Sequence, residues 1–550
     1  MITVSASQID GDDSSSDHFY KVVFRQSTAS EYRRTHCYVT LLLMRSLFSS
    51  FSHRFVKVAP SFSSIATISS SVMSMSTTTS ATTVPLRDSI SYNFWRGHPN
   101  NNLLPATEMQ KILQTMASPA NEERLRCSLQ YLNSDRGDPV LLKEISSFLQ
   151  RQTAADELPQ LPLPSETASS TTPTATDGTN PPCELDMFLT HGVSHGLDML
   201  CTAHAAPGDV VLMERPSYFL AAGIFQSHGL TLESLPMKRH DGSEEEQQQQ
   251  CDDGDGDGAL MVDVDALQRG LEDGSIGVPR IIYVIPTHQN PTGNTMPIAD
   301  RWKLCRLARK FGFLVAADEV YHLLDWRDDK KQRPARFSVL DRILSIQQSG
   351  PSDPDDSGTT TSRKGLKGYS VSVSSFTKIF TPGVRCGWIE GPTEIIDSIV
   401  DLGYIKSQGG CTPFVGNILR TALEEGFQDE ILNRLNGSYR DRCLALCGVL
   451  ESEPGIRIRR RPEGGYFLWV DFLGLPETAS VFAAYCFDRG LRFMPGTKCD
   501  SVVEGFEQSG QPKELCENSA RLCFADMDEG NVVDGATLLV RLYREYVGKD

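Results

Sequence analysis

The sequence predicts an α/β fold built on a parallel sheet with helices on both faces. Three stretches carry that prediction: the apolar run Ile281–Ile285, the helical pattern after Pro297, and the apolar run Phe313–Ala317. Ile281-Ile-Tyr-Val-Ile285 is short, apolar and rich in β-branched residues, as a strand buried on both faces requires. Pro297 opens a helix, because its missing N–H and fixed φ suit a first turn. Trp302, Cys305, Ala308 and Phe311 share the apolar face of that helix, and Gly312 ends it. Phe313-Leu-Val-Ala-Ala317 is the next buried strand. Strand, crossover helix and strand form a βαβ unit, which demands a parallel sheet. Met187-Phe-Leu-Thr190, followed by the helical Gly196-Leu-Asp-Met-Leu-Cys201, extends the same sheet, as does Tyr369-Ser-Val-Ser-Val373.

A chain of 550 residues is long enough for two or three domains. Its 39% hydrophobic and 22% charged residues are ordinary for a soluble globular protein. A net charge of -17 argues against nucleic acid as a partner. The 14 cysteines are too sparse for a disulfide scaffold, and those inside apolar runs (Cys201, Cys305, Cys486) suit a reducing compartment. Cys443 and Cys447 lie one helical turn apart without a second ligand pair, so no zinc site is expected. Asp253-Gly-Asp-Gly-Asp-Gly258 begins like a calcium loop, but Val264 stands where a bidentate Glu is required. The apolar run Tyr38–Met44 is too short to span a bilayer, so no membrane partner is expected.

Residues 1–86 read as a disordered leader. From Met44 onward the leader has the composition of an organelle transit peptide: no acidic residue between Glu31 and Asp88, many serines, and Arg45, Arg54 and Lys57 among apolar residues. That reading gives a mitochondrial matrix or other organellar destination; a plain Ser/Thr-rich tail gives a cytoplasmic one. Three further stretches, 152–183, 239–258 and 349–364, lack the apolar surface to offset ordering entropy and read as disordered loop insertions. The remainder divides into an N-terminal arm over 87–126, a large domain over 127–415 and a small C-terminal domain over 416–550.

In an open α/β sheet, ligands bind where loops leave the carboxyl ends of strands. The polar residues found there are Ser194 and His195, Asn290, Asp318 with Tyr321, and Lys378. Each alone has an ordinary reading as a turn or surface residue. Their joint placement, one group at each strand end, does not.

Asn290-Pro-Thr-Gly293, Asp318-Glu-Val-Tyr321, Ser375-Phe-Thr-Lys378 and Pro382-Gly-Val-Arg385 also resemble, in this order, the signature set of class I aminotransferases in the aspartate-aminotransferase superfamily. The resemblance runs from about Asn93 to the last fifty residues. It implies the fold type I architecture: a large domain with a mostly parallel seven-stranded sheet flanked by helices, and a smaller α+β C-terminal domain. It also implies pyridoxal 5'-phosphate as cofactor. Lys378 would carry it as a Schiff base and then move a proton as general base. Asp318 would pair with the pyridine nitrogen; Asn290 and Tyr321 would hydrogen-bond the phenolic oxygen; Tyr218 would stack on the ring. Ser375, Arg385 and the backbone N–H groups of Ser194 and His195 would hold the phosphate. Tyr131 matches a tyrosine that reaches the phosphate from a neighbouring subunit, which implies a homodimer.

Arg521, in Asn518-Ser-Ala-Arg-Leu-Cys-Phe524, corresponds to the family's substrate-carboxylate arginine. Gly464–Val470 and Met494-Pro-Gly496 match its small domain. Asn93-Phe-Trp-Arg-Gly-His-Pro-Asn100 and Gly409-Gly-Cys-Thr-Pro413 resemble a fungal group related to 2-aminoadipate and aromatic (kynurenine-type) aminotransferases. Arg96 and Gly97 on that arm are then candidate substrate contacts, Arg96 for a side-chain carboxylate. Three departures stand out: Thr377 where serine is commoner, His195 with Gly196 in variable positions, and a spacing of 60 positions from Asp318 to Lys378, stretched by the insertion at 349–364.

The expected reaction is transfer of the amino group of an L-amino acid to a 2-oxo acid such as 2-oxoglutarate. A lyase of the same fold, of the 1-aminocyclopropane-1-carboxylate-synthase or C–S lyase kind, would use the same lysine and aspartate. Gly192-Val-Ser-His-Gly196 also fits the nucleophile elbow of serine hydrolases, with Ser194 as nucleophile. That reading needs a downstream histidine, and none follows His322.

Overall fold

The computed structural model describes residues 91–153, 186–240, 259–327, 333–348, 369–500 and 516–548, with two strands nearer the start. The chain separates into one unit over Met1–Leu86 and another over Arg87–Asp550. In the first unit, Ile2–Gln8 and Tyr20–Gln26 pair antiparallel from Ile2 opposite Gln26 to Gln8 opposite Tyr20. This pair lies in the stretch read as a disordered leader, and alternation of apolar and polar residues in Ile2-Thr-Val-Ser-Ala suits a strand. The transit-peptide segment from Met44 lies outside the described residues. So do nearly all of the three insertions, although Gln152 ends a helix and Arg239 and His240 belong to a strand.

The second unit is organised by seven strands: β1 (Asp186–Thr190), β2 (Val210–Met213), β3 (Thr231–Ser234), β4 (Ile281–Val284), β5 (Leu314–Asp318), β6 (Ser370–Ser375) and β7 (Gly387–Gly391). Their order across the sheet is β1-β7-β6-β5-β4-β2-β3. β7 runs antiparallel to both neighbours, and the remaining pairs in the ladder are parallel. Alternate residues of one strand enter different cores. Ile281, Tyr283, Leu314 and Ala316 pack on one face, and Ile282, Val284, Val315 and Ala317 on the other. Burial on both sides is why these strands are apolar throughout and do not alternate.

Helix α1 (Val193–His204) follows β1 and lays Leu197 and Leu200 on the first core. Helix α2 (Ile298–Phe311) lays Trp302, Cys305 and Ala308 on the second. Gly312, at φ 79°, ends α2 in a left-handed turn that its lack of a Cβ permits. The short helix α3 (Phe376–Ile379) caps β6, with Ser375 Oγ accepting from the Thr377 N–H at 3.1 Å.

Toward the C-terminus, β8 (Ile456–Ile458), β9 (Phe467–Phe472), β10 (Met494–Pro495) and β11 (Ser519–Cys523) form an antiparallel sheet in the order β8-β9-β11-β10. The arm joins this region through a separate two-stranded ladder. Tyr92–Asn93 pairs parallel with Leu491–Arg492, and Phe94 donates its N–H to the Arg492 carbonyl at 2.8 Å while accepting from Cys523 N–H at 2.9 Å. Fixing the arm there carries Trp95–Pro99 to the carboxyl edge of the large sheet.

Candidate active site

A cleft of about 820 Å³ opens at that edge. The residues lining it include Arg96, Gly97, Ser194, Tyr218, Asn290, Asp318, Tyr321, Ser375, Lys378, Arg385 and Arg521. Two residues singled out in the sequence do not line it. The ring of His195 turns elsewhere, with Nδ1 accepting the His191 N–H at 3.2 Å, so only its backbone is available to a ligand. Tyr131 is 79% exposed and lies outside the cleft of its own chain.

One end of the cleft is built to hold an anion. The first turn of α1 presents the N–H groups of Val193, Ser194 and His195, which have no partner within the helix. Arg385 reaches across from the β6–β7 connection. Its Nη2 donates to the His191 carbonyl at 3.1 Å and its Nη1 to Thr377 Oγ1 at 3.3 Å. Among the described residues it meets no carboxylate. The space is kept open by Gly192 at φ 95°: a Cβ there would stand 3.1 Å from Arg385 Nη2 and 3.6 Å from Ser375 Oγ. A guanidinium, two hydroxyls and a helix N-terminus around such a space fit a phosphate monoester.

Lys378 projects from α3 into the middle of the cleft, where its Nζ donates to the Gly97 carbonyl at 2.8 Å. The amine lies 4.8 Å from the Tyr466 ring centroid and 5.8 Å from that of Tyr321. Burial is the main reason its pKa falls from 10.5 to about 8. Asp318, at the carboxyl end of β5, is also buried, and burial raises its pKa to about 6. Tyr283 Oη donates to Asp318 Oδ2 at 2.9 Å from the adjacent strand, and the Val320 N–H donates to Oδ1 at 3.3 Å. A carboxylate this desolvated gains most from a cationic N–H partner supplied by a ligand. The residues thus fit pyridoxal phosphate at both ends, phosphate and ring nitrogen.

Arg521 stands on β11 with 3% of its surface exposed. No carboxylate pairs with it among the described residues. Its Nη1 donates to Asn290 Oδ1 at 3.0 Å, its Nη2 to the Trp95 carbonyl at 2.7 Å, and its guanidinium lies 4.2 Å from the Phe467 ring centroid.

Sequence reasoning missed Tyr283, Thr377, Trp95 and Arg492. Tyr283 was read only as core, although a phenol inside a buried strand needs a polar partner. Thr377 stands out in the sequence only as a departure from serine, and its hydroxyl meets Arg385 Nη1 only in the fold. Trp95 and Arg492 meet only through the fold.

Comparison with known proteins agrees with this geometry. A family model described as "Aminotransferase class I and II" matches residues 184–537. The chain is 25% identical over 362 residues to 2-aminoadipate transaminase of Thermus thermophilus, spanning 65% of this chain and 75% of that protein. It is 27% identical over 302 residues to an aromatic amino acid aminotransferase of Schizosaccharomyces pombe, spanning 52% of this chain and 55% of the relative. The structure of a multiple substrate aminotransferase from Thermococcus profundus superposes with a TM-score of 0.60 at 21% identity, over 85% of this chain and 94% of that one. LysN, an alpha-aminoadipate aminotransferase from Thermus thermophilus complexed with N-(5'-phosphopyridoxyl)-L-leucine, gives 0.58 at 21% identity, over 84% and 93%. At such identities the two structures share the fold.

Proposed function

The chain belongs to the class I and II aminotransferases, which are pyridoxal-phosphate enzymes, and we propose that it moves the amino group of a 2-aminoadipate-type or aromatic L-amino acid to a 2-oxo acid such as 2-oxoglutarate. The observation that carries this reading is the placement of a buried Lys378, its amine depressed to about 8, in the same cleft as Asp318 and Arg521.

Bound in this cleft, the cofactor supplies an electron sink next to the substrate nitrogen. The protein's own groups do the rest. Arg385, Ser375, Thr377 and the first turn of α1 hold the phosphate. Asp318, steadied by Tyr283, keeps a proton on the ring nitrogen. Asn290 and Tyr321 would donate to the phenolic oxygen, and Tyr218 would stack on the ring. Arg521 takes the substrate α-carboxylate, which fixes the Cα–H bond toward Lys378. With a pKa near the working range, the Lys378 amine is neutral often enough to accept that proton and hold it for return. The active unit is a homodimer in which Tyr131 of each chain completes the phosphate site of the other.

The test is a panel of L-amino acids, each followed for conversion of bound cofactor to the pyridoxamine form, in the wild type and in Lys378→Ala. Stoichiometric conversion by 2-aminoadipate or an aromatic amino acid, lost in the variant, supports the proposal. Release of ammonia with the pyridoxal form retained would assign a lyase instead.

A further inference from the structure

The cleft holds more positive charge than the groups assigned so far use. Four arginines (Arg96, Arg385, Arg492 and Arg521) and the titratable Lys378 line it, against one carboxylate, Asp318. In the reading above, Arg385 serves the phosphate, Lys378 the bond to cofactor and Arg521 the α-carboxylate. Arg96 and Arg492 remain. Arg96 has a carboxylate of the protein in its field: burial raises the pKa of the half-buried Asp526, and Arg96, His98 and Arg442 oppose that rise. Arg492 faces no such group and makes no ion pair among the described residues.

Arg492 is also held in place. Its backbone carbonyl accepts the Phe94 N–H at 2.8 Å, next to the paired strand Tyr92–Asn93. Its guanidinium lies 4.5 Å from the Trp95 ring centroid and 5.9 Å from that of Phe487. Stacking on aromatic faces orients a guanidinium yet leaves its in-plane N–H donors free for a planar anion. Trp95 therefore connects two cations: Arg521 donates to its carbonyl at 2.7 Å, and Arg492 lies on its ring. A ligand whose α-carboxylate met Arg521 and whose other end ran along Trp95 would bring that end to Arg492.

We infer that Arg492 is the anchor for a second, distal carboxylate, and that dicarboxylic amino and 2-oxo acids are the substrate class this cleft selects. The inference rests on the transaminase reading above and adds a specificity-determining residue to it. An unpaired guanidinium half-shielded from water gains a charge-assisted, bidentate partner from such a substrate and nothing from one ending in a methyl group.

The experiment compares 2-oxoglutarate with 2-oxopentanoate, which has a methyl group where the distal carboxylate would be, as acceptors for the cofactor-loaded enzyme. In Arg492→Gln the ratio of kcat/KM values, 2-oxoglutarate over 2-oxopentanoate, falls by about 10- to 100-fold, chiefly through KM for 2-oxoglutarate. An unchanged ratio overturns the inference, and so does a collapse in Arg96→Gln that Arg492→Gln does not show. If Arg492→Gln fails to retain cofactor absorbance, Arg492→Lys replaces it; losing the fork but keeping the charge, it lowers the ratio several-fold, and an unchanged ratio again overturns the inference. If the wild type transaminates neither acceptor with any amino acid, the transaminase reading fails, and Arg492 is judged by binding alone. Glutarate should then perturb the visible spectrum of the loaded protein at lower concentration than pentanoate, and that preference should vanish in Arg492→Gln. Equal binding of the two acids by the wild type would sink the inference.

Discussion

Arg521 donates from Nη1 to Asn290 Oδ1 at 3.0 Å, so the proposed substrate arginine is oriented by a residue proposed to face the cofactor ring. Arg521 stands on β11 of the small sheet and Asn290 in the loop after β4 of the large one, so the contact ties the two sheets together. Arg521→Lys keeps the charge but loses the planar fork and this hydrogen bond. It should lower kcat/KM for the amino donor about 100-fold, mostly in KM, while cofactor content stays within error. Steady-state kinetics with absorbance-based cofactor quantitation checks this. Equal damage to cofactor content would move Arg521 from substrate binding to structure.

Burial of Lys378 gives a pH signature in the cofactor-free protein. Its pKa of about 8, against 10.5 for an ordinary lysine, means the folded chain sheds that proton earlier than the unfolded chain. Between those two values the unfolded state binds more protons, so this group's contribution to stability rises with pH across that window. The amine also becomes nucleophilic early. Acetic anhydride labelling followed by mass spectrometry should modify Lys378 with a midpoint near pH 8, well before exposed lysines such as Lys406. A midpoint shared with Lys406 would remove the reason given for its reactivity.

The anion site permits a geometric test. Gly192 combines φ 95° with a Cβ position 3.1 Å from Arg385 Nη2. Gly192→Ala therefore strains the turn between β1 and α1 and displaces Arg385 from its carbonyl contact with His191. Pyridoxal phosphate should bind at least about 10-fold more weakly, whereas pyridoxal, which lacks the phosphate, should lose much less. Fluorescence titration of the cofactor-free protein with both ligands measures the difference. A parallel loss for both would show that the substitution disturbs more than the phosphate site.

What the sequence revealed follows from how far apart the interacting residues lie. β4, α2 and β5 were legible because each depends on a local pattern, apolar runs and a Pro–Gly-bounded helix, that burial on two faces enforces. Lys378, Asp318 and Asn290 were legible because strand ends in such a sheet converge, and Arg385 through the resemblance carried by Pro382-Gly-Val-Arg385. Tyr283 escaped because its hydroxyl finds Asp318 across a strand pair, 35 positions away, and nothing in Ile-Ile-Tyr-Val records that register. Arg492 escaped for a stronger reason. Its partner Trp95 lies on the arm, and only the parallel pairing of Tyr92–Asn93 with Leu491–Arg492 brings these two distant segments together.

Tyr131 provides the test of the proposed dimer. It is an aromatic side chain with 79% of its surface exposed, beside Leu129 at 69%, and neither lines the cleft of its own chain. Exposed aromatic residues next to one another are characteristic of a surface meant to be covered. If each cleft takes Lys378 from one chain and Tyr131 from its partner, two inactive variants can rescue one another. In a mixed dimer of Lys378→Ala with Tyr131→Ala, one cleft carries both lesions and the other carries none. Random exchange places half of the chains in mixed dimers, so refolding the variants together should restore about a quarter of wild-type activity. Each variant refolded alone stays at its own low level. Activity of the mixture equal to the average of its parts would show that Tyr131 acts within its own chain or not at all, and size-exclusion chromatography with light scattering would decide whether the dimer itself is missing.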